Sequence, residues 1–168
     1  CTSNSTASCN FTSTGLKSGK TKQMIVNATW NIGGLSNSSI YPDQAYTSEK
    51  SATTQNYVAL PSASDYGYAA DLNLCKQQLN NYNNSTCTSN NWMRSIMGYF
   101  QNSASYEARL INKSSANTNT TFIVAADGFV DTMDYIYDDV YANTNKEVVP
   151  ALYLSGNVVK VGDLTTAN

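Results

Sequence analysis

The chain has 168 residues and a mass of 18.2 kDa, and its 41% hydrophobic content is enough to build one core. Charged residues make up 13%, well below the ~25% of average soluble domains, and the formal net charge is -2. This balance argues against nucleic acid as a partner, because no basic patch is available for phosphate groups. The sequence contains no histidine, which excludes Ser-His and Cys-His catalytic dyads.

The four cysteines, Cys1, Cys9, Cys75 and Cys87, form two local pairs. Three pairings are formally possible, and the lower entropy cost of closing short loops favours Cys1–Cys9 and Cys75–Cys87. Neither pair has the spacing of a structural zinc site. Four unconnected thiols in a cytosolic protein are the alternative. We predict disulfides formed in an oxidising compartment, a polar segment over residues 1–17 stapled by Cys1–Cys9, and any targeting segment outside this chain.

The first half of the chain has helical spacing in three places. Ser18 is a candidate N-cap for an amphipathic helix that carries Met24, Ile25 and Ala28 on one face. A short helix is expected near residues 43–50. Residues 57–60 resemble a strand that Pro61 ends, since proline has no N–H for the sheet ladder. A further helical run follows after a turn at residues 66–68, and it places Ala69, Leu72, Cys75 and Leu79 on one face.

The second half is rich in β-forming residues. Strands are predicted at residues 108–111, 120–125, 128–130, 135–141, 148–154 and 157–161. Asp127-Gly128 is a hairpin-turn signal, because short hairpin loops need positive φ. With no internal repeat and no linker, we predict one α+β domain over residues 1–168, with short helices packed on a twisted antiparallel sheet.

The acidic residues allow two kinds of chemistry. A pair of carboxylates across a cleft would serve a glycan-hydrolysing enzyme. Asp127, Asp131 and Asp134 could instead bind calcium, which prefers oxygen ligands, although their spacing does not match a helix-loop-helix calcium motif. We favour a solvated loop and an acidic strand face over both, and expect no catalytic residues and no cofactor.

The 12 tyrosines are the other chemical resource, since tyrosine makes large contacts at low entropic cost. Apolar neighbours favour core positions for Tyr66, Tyr68 and Tyr153. The remaining candidates for a ligand-binding surface are Tyr82, Tyr99, Tyr106, Tyr135, Tyr137 and Tyr141.

Four sequence blocks carry a resemblance to a known family. They are residues 30–34 (WNIGG), 60–69 (LPSASDYGYA), 75–92 between Cys75 and Trp92, and 148–154 (VVPALYL). In this order they resemble a domain of surface proteins from Gram-positive gut bacteria, several of which carry a prepilin-type N-terminal segment. Val149 departs from the family pattern, which usually has arginine there. The family is in turn similar to C-type-lectin-like folds, which implies long loops that present a binding surface.

Together these observations predict an extracellular, non-enzymatic domain at the cell surface. We expect an adhesin or pilin-like subunit whose partner is a host glycan or a surface protein. A structural subunit of a filament, built from copies of the same chain, is the alternative, and a glycan-active enzyme is less favoured. No apolar run approaches the ~20 residues that span a bilayer, so we expect no membrane insertion by this chain.

Overall fold

The computed structural model describes residues 23–94, 107–116, 120–135 and 146–156. It has an α+β architecture in which short helices and a two-stranded sheet precede a four-stranded sheet. The coarse class predicted from the sequence is confirmed. The predicted Cys1–Cys9 staple and the predicted strand at 157–161 lie outside the described residues.

A small antiparallel sheet joins β1 (Ala28–Asn31) to β2 (Thr53–Asn56), with Trp30 opposite Thr54. The Trp30 indole N–H donates to the Asn56 carbonyl at 2.8 Å, so the ring is fixed across both strands. The predicted amphipathic helix does not extend to Ala28, because this residue begins a strand. Residues 23–24 are helical, and the part of the predicted helix before them lies outside the described residues. Pairing with β2 satisfies the backbone groups that an isolated helix would satisfy locally, and this tertiary gain outweighs the helical spacing.

Helix α1 (Pro42–Glu49) confirms the helix predicted near residues 43–50. Pro42 occupies the first turn, where its missing N–H costs no hydrogen bond. The Tyr41 amide donates to the Gln44 side chain at 2.9 Å, which satisfies the backbone just before the helix.

Helix α2 (Ala63–Tyr68) lies within the LPSASDYGYA block. Its capping box is reciprocal: the Asp65 amide donates to Ser62 Oγ at 3.1 Å, and the Ser62 amide donates to Asp65 Oδ2 at 2.9 Å. This arrangement satisfies two N–H groups at the N-terminus and explains why so short a helix starts here.

A loop region with two short helical turns follows. It contains a 3₁₀ turn (Leu79–Asn81) and helix α3 (Ser85–Ser89), and the Cys75–Cys87 disulfide connects it across a Cα–Cα distance of 4.7 Å. This confirms the predicted local pairing. The predicted helical run through Leu72 is wrong: that side chain is 42% exposed. The chain turns instead at Asp71, whose carbonyl accepts the Cys75 amide at 2.8 Å.

The larger sheet contains β3 (Glu107–Lys113), β4 (Thr120–Val124), β5 (Val130–Tyr135) and β6 (Lys146–Glu147), in the order β5-β4-β3-β6. The pairs among β3, β4 and β5 are antiparallel, whereas β6 runs parallel to β3.

The turn between β4 and β5 includes Gly128 at φ 102°, as the hairpin signal predicted. Its loop is longer than two residues, since Val124 pairs with Val130. Residues 148–154 form no continuous strand. They contribute two isolated bridges, from Ala151 to Ala59 and from Leu154 to Ile25.

The core lies between α2, the disulfide loop and the inner face of the larger sheet. Its large side chains with less than 2% exposure include two tyrosines and several aliphatic and aromatic residues, namely Tyr66, Tyr82, Phe122, Leu35, Leu79, Ile123, Val124 and Val130. This layout leaves the outer side of α2 free to contribute to a surface.

Candidate functional site

The inner face of α2 is bonded to buried side chains of neighbouring segments. Glu49, at the end of α1, is fully buried, and its carboxylate accepts both the Ser64 amide at 2.9 Å and the Ser64 hydroxyl. Burial raises the pKa of Glu49 above its usual 4.5, although the hydrogen bonds from Ser64 oppose that shift. This buried carboxyl therefore joins α1 to α2.

Two buried asparagines secure the same helix to its surroundings. Asn112 Oδ1 accepts the Ala63 amide at 2.7 Å, and its Nδ2 donates to the Gly33 carbonyl at 3.2 Å. Asn91 Nδ2 donates to the Tyr66 carbonyl at 2.9 Å. These side chains supply the backbone with partners that regular secondary structure does not provide here.

The outer face of α2 borders an open groove of about 310 Å³. Asp65 and Tyr68 are three residues apart and therefore share a helix face. With Ala69, which follows the helix, they form one side of the groove. The remaining described residues of its lining come from other segments: Trp30, Pro61, Trp92, Met93, Ala151, Leu152 and Tyr153.

The segment at residues 151–155 forms a second side and is held by backbone hydrogen bonds to two other segments. Ala59 and Ala151 exchange both of their N–H to carbonyl bonds, at 3.1 and 2.7 Å. The Val26 amide donates to the Tyr153 carbonyl at 3.1 Å. Leu152 and Tyr153 are thereby placed at the groove without belonging to a regular strand.

Trp92 contributes a third side and is 59% exposed. Its amide donates to the Ala69 carbonyl at 3.2 Å, directly after the buried Asn91 that anchors α2. Because so much of the indole is exposed, it contributes little to the core. Its position at the rim of the groove makes it available to a ligand.

The four sequence blocks that carry the resemblance meet at this groove. Trp30 comes from the first block, Asp65 and Tyr68 from the second, Trp92 from the third and Tyr153 from the fourth. Residues separated by more than 100 positions therefore line one surface. The four blocks therefore come together at the groove as well as in the core.

Two pairs of aromatic rings are in contact at the groove or beside it. The Trp30 and Tyr153 ring centroids are 4.9 Å apart, with their planes tilted by 48°. Tyr68 meets Tyr46 of α1 edge to face at 6.3 Å, and the Lys50 ammonium lies 4.1 Å from the Tyr46 ring centroid. Tyr68 thus links the groove to the aromatic side chain of Tyr46 on α1.

Nearby carboxylates act on the two phenols of the groove. Burial raises the pKa of the Tyr153 hydroxyl, and the Asp65 carboxylate raises it further. For Tyr68 burial again comes first, followed by the charge of Asp43. Both phenols therefore remain neutral and able to donate or accept hydrogen bonds at physiological pH.

The structure differs from the sequence prediction in which tyrosines are buried and which are exposed. Tyr82 was predicted to lie on a recognition surface, but it is 1% exposed and its hydroxyl donates to the Gly67 carbonyl at 3.2 Å. Burial raises its pKa to about 12. Tyr66 is buried as predicted. Tyr68 and Tyr153 were predicted to lie in the core, yet they are 45% and 49% exposed and line the groove.

The other candidate tyrosines are not placed by the structure. Tyr99, Tyr106, Tyr137 and Tyr141 lie outside the described residues, and for Tyr135 only the backbone, at the end of β5, is described. Their assignment to a binding surface stays a prediction.

The three calcium candidates fall in and after the β4–β5 turn. Asp127 is exposed and accepts a long 3.5 Å hydrogen bond from Asn83, and Asp131 lies in β5 opposite Ile123. The side chain of Asp134 is not described. Within the described ranges, no group of three His, Cys, Asp or Glu side chains is placed to hold a metal ion.

Sequence reasoning missed Trp30 and Trp92 as residues of a site. One signal was present: two tryptophans, a rare residue type here, each lie in a block that carries the resemblance. Nothing in the spacing indicated that residues near positions 30, 65, 92 and 153 would converge.

Comparison of the chain with protein-family models, with curated proteins and with solved structures found no match. Among the described helices, none has both the length and the apolar content needed to cross a bilayer.

Proposed function

We propose that the chain is a non-enzymatic, extracellular surface domain, adhesin or pilin-like in use, that binds glycans in the groove between α2, Trp92 and residues 151–153. The observation that carries this proposal is the composition of the lining: the exposed aromatic rings of Trp92, Tyr153 and Tyr68 line the same groove as the carboxylate of Asp65.

The chemistry of the lining suits a sugar ring. The C–H groups of a pyranose pack on the electron-rich face of an aromatic ring, and its hydroxyls need polar partners close by. Asp65 and the two phenols supply such partners at the edge of the apolar surface. An open groove also admits a segment of a longer chain, as a surface adhesin requires.

Binding is favoured over hydrolysis by the placement of the carboxylates. A glycosidase uses two carboxyl groups that face each other across the scissile bond. Of the described residues that line the groove, Asp65 is the acidic one, and Glu49 is buried behind α2 with its oxygens bonded to Ser64. The groove therefore supports recognition better than bond cleavage.

The resemblance to C-type-lectin-like folds supports a binding surface that is built in part from loops. In such folds loops carry the ligand, and here one side of the groove, at residues 151–153, lies outside the named helices and strands. Disulfide-stapled loops and an oxidising, extracellular location fit the same use, since the Cys75–Cys87 loop leads into the Trp92 segment.

The test is a glycan array followed by titration calorimetry on the best-binding oligosaccharide. Trp92→Ala and Tyr153→Ala should each weaken binding by about tenfold or more, since each removes a large contact surface. Tyr57→Ala is the matched control, because Tyr57 is 60% exposed and does not line the groove. Titrations with and without chelator show whether calcium takes part.

Two results would overturn the proposal. The first is an array without saturable binding, together with concentration-dependent assembly, which would indicate a filament subunit instead. The second is binding that survives both groove substitutions, which would place the ligand elsewhere on the chain.

A further inference from the structure

The groove is complementary to positive charge. Aromatic faces carry negative electrostatic potential and attract ammonium groups within about 6 Å of a ring centroid. The described lining combines four such rings with the Asp65 carboxylate and includes no lysine or arginine. A bound cation would therefore meet attraction from these groups without competition from a charged side chain of the described lining.

The protein already places one ammonium group on an aromatic ring beside the groove. Lys50 Nζ lies 4.1 Å from the Tyr46 ring centroid, and Tyr46 packs edge to face on Tyr68, which lines the groove. The contact shows that the Tyr46 ring, which packs on Tyr68, accepts a cation over its face. It also leaves Tyr68, Trp92 and Tyr153 available for a cation from the ligand.

The acidic side chains around the groove strengthen this preference. Asp65 acts electrostatically on Tyr153, and Asp43 acts on Tyr68. The formal net charge of the whole chain is -2, so the overall field does not oppose a cationic ligand. The same field would repel a glycan that carries carboxylates or sulfates.

From this arrangement we propose that the groove selects glycans that carry free amino groups, with the ammonium between the Asp65 carboxylate and the rings of Trp92 and Tyr153. This inference rests on the proposed function, because it specifies the ligand class of the same groove. Neutral N-acetylated sugars bind more weakly, and acidic sugars are excluded.

The experiment compares two ligands that differ only in the charge of the amine. Trimers of glucosamine and of N-acetylglucosamine are titrated into the full chain at about pH 6, where a free amine is protonated. The glucosamine trimer should bind about tenfold more tightly, a difference of about 1.4 kcal/mol. Its advantage should shrink as salt is raised from about 0.05 to 0.3 M, because salt screens charge interactions in an open groove.

A charge-neutral variant assigns the effect to one residue. Asp65→Asn should bring the two trimers within about twofold of each other, while its side-chain oxygen can still accept the Ser62 amide bond. Asp127→Asn is the control, since it removes the same charge from an exposed turn outside the groove and should keep the tenfold preference.

A second measurement needs no variant and guards against misfolding of Asp65→Asn. Tetramethylammonium chloride should displace the glucosamine trimer from the unmodified protein more effectively than sodium chloride at the same ionic strength, because a quaternary ammonium ion binds aromatic faces.

The outcomes separate the two proposals. Equal binding of both trimers, or tighter binding of an acidic glycan on the array, overturns the amine selectivity and leaves glycan binding standing. Loss of the preference in Asp127→Asn overturns the role of Asp65. Absence of binding to every glycan overturns the proposed function and this inference with it.

Discussion

The Ser64 amide donates to the buried Glu49 carboxylate at 2.9 Å, and the Ser64 hydroxyl donates to its other oxygen. The carboxyl group at the C-terminal end of α1 thus binds the first turn of α2. Burial raises the pKa of Glu49, so the folded protein favours its protonated form more than the unfolded chain does.

Glu49→Gln should change how stability depends on pH. Between the ordinary pKa of 4.5 and the raised value in the fold, the folded state holds more protons than the unfolded state, so stability falls as pH rises through this window. The variant removes the titrating group and should flatten that decline. Urea unfolding of both proteins from about pH 4.5 to about pH 8 measures it.

The control for this prediction is Tyr57→Phe, an exposed position whose substitution removes no carboxyl group and should leave the slope unchanged. Parallel curves for the Glu49→Gln variant and the unmodified protein would show that Glu49 does not titrate differently in the fold.

The Cys75–Cys87 disulfide should stabilise the groove as well as the core. It closes a loop of 12 residues, and a short loop of this kind contributes on the order of 3 kcal/mol. Replacing both cysteines by serine should lower the free energy of unfolding by about that amount, as measured in urea. Mass spectrometry of the unreduced protein checks the pairing, and free thiols at these positions would refute it.

Gly67→Ala should destabilise the protein although alanine is the better helix former. An added Cβ would lie 2.7 Å from Pro42 Cγ and 3.0 Å from Leu79 Cδ2, so α1 or the 3₁₀ turn would have to move. We expect a loss of about 1–3 kcal/mol in the free energy of unfolding. Gly156→Ala is the comparison, because a Cβ there meets nothing within 4 Å. Equal stability of the two variants would mean that α1 and α2 are loosely packed.

Tyr66→Phe should cost about 1–2 kcal/mol of stability. The Tyr66 hydroxyl donates to the Gly128 carbonyl at 2.8 Å across the core, so its removal leaves a buried acceptor in the β4–β5 turn. Tyr57→Phe, at an exposed hydroxyl, should change stability by less than about 0.5 kcal/mol. Thermal and urea unfolding of the pair measure the difference, and an equally small effect in both would contradict the role assigned to Tyr66.

Local signals in the sequence predicted the elements whose causes are local. Gly128 marks the hairpin turn, and the spacing of Cys75 and Cys87 identified their disulfide. Each depends on one residue type at one position. The β-rich second half likewise predicted β3 and β4, because alternating and continuous apolar runs are sheet signals.

The errors came from contacts between distant segments. Ala28 has helical spacing with its neighbours, yet it pairs with Asn56 in a sheet. The apolar sequence neighbours of Tyr153 predict a core position and the polar neighbours of Tyr82 a surface position, yet packing buries Tyr82 and places Tyr153 at the groove. The groove joins positions 30 to 153, and no short-range pattern carries that information.

Helix α2 makes core stability and ligand recognition difficult to change independently. Ser64 and Tyr66 point to the interior, while Asp65 and Tyr68, interleaved with them along the same six residues, face the groove. A substitution that moves the backbone at one face therefore also moves the residues of the other face, because both faces belong to the same short helix. New specificities in this protein should therefore arise at Trp92 and Leu152, which can vary while the helix is preserved.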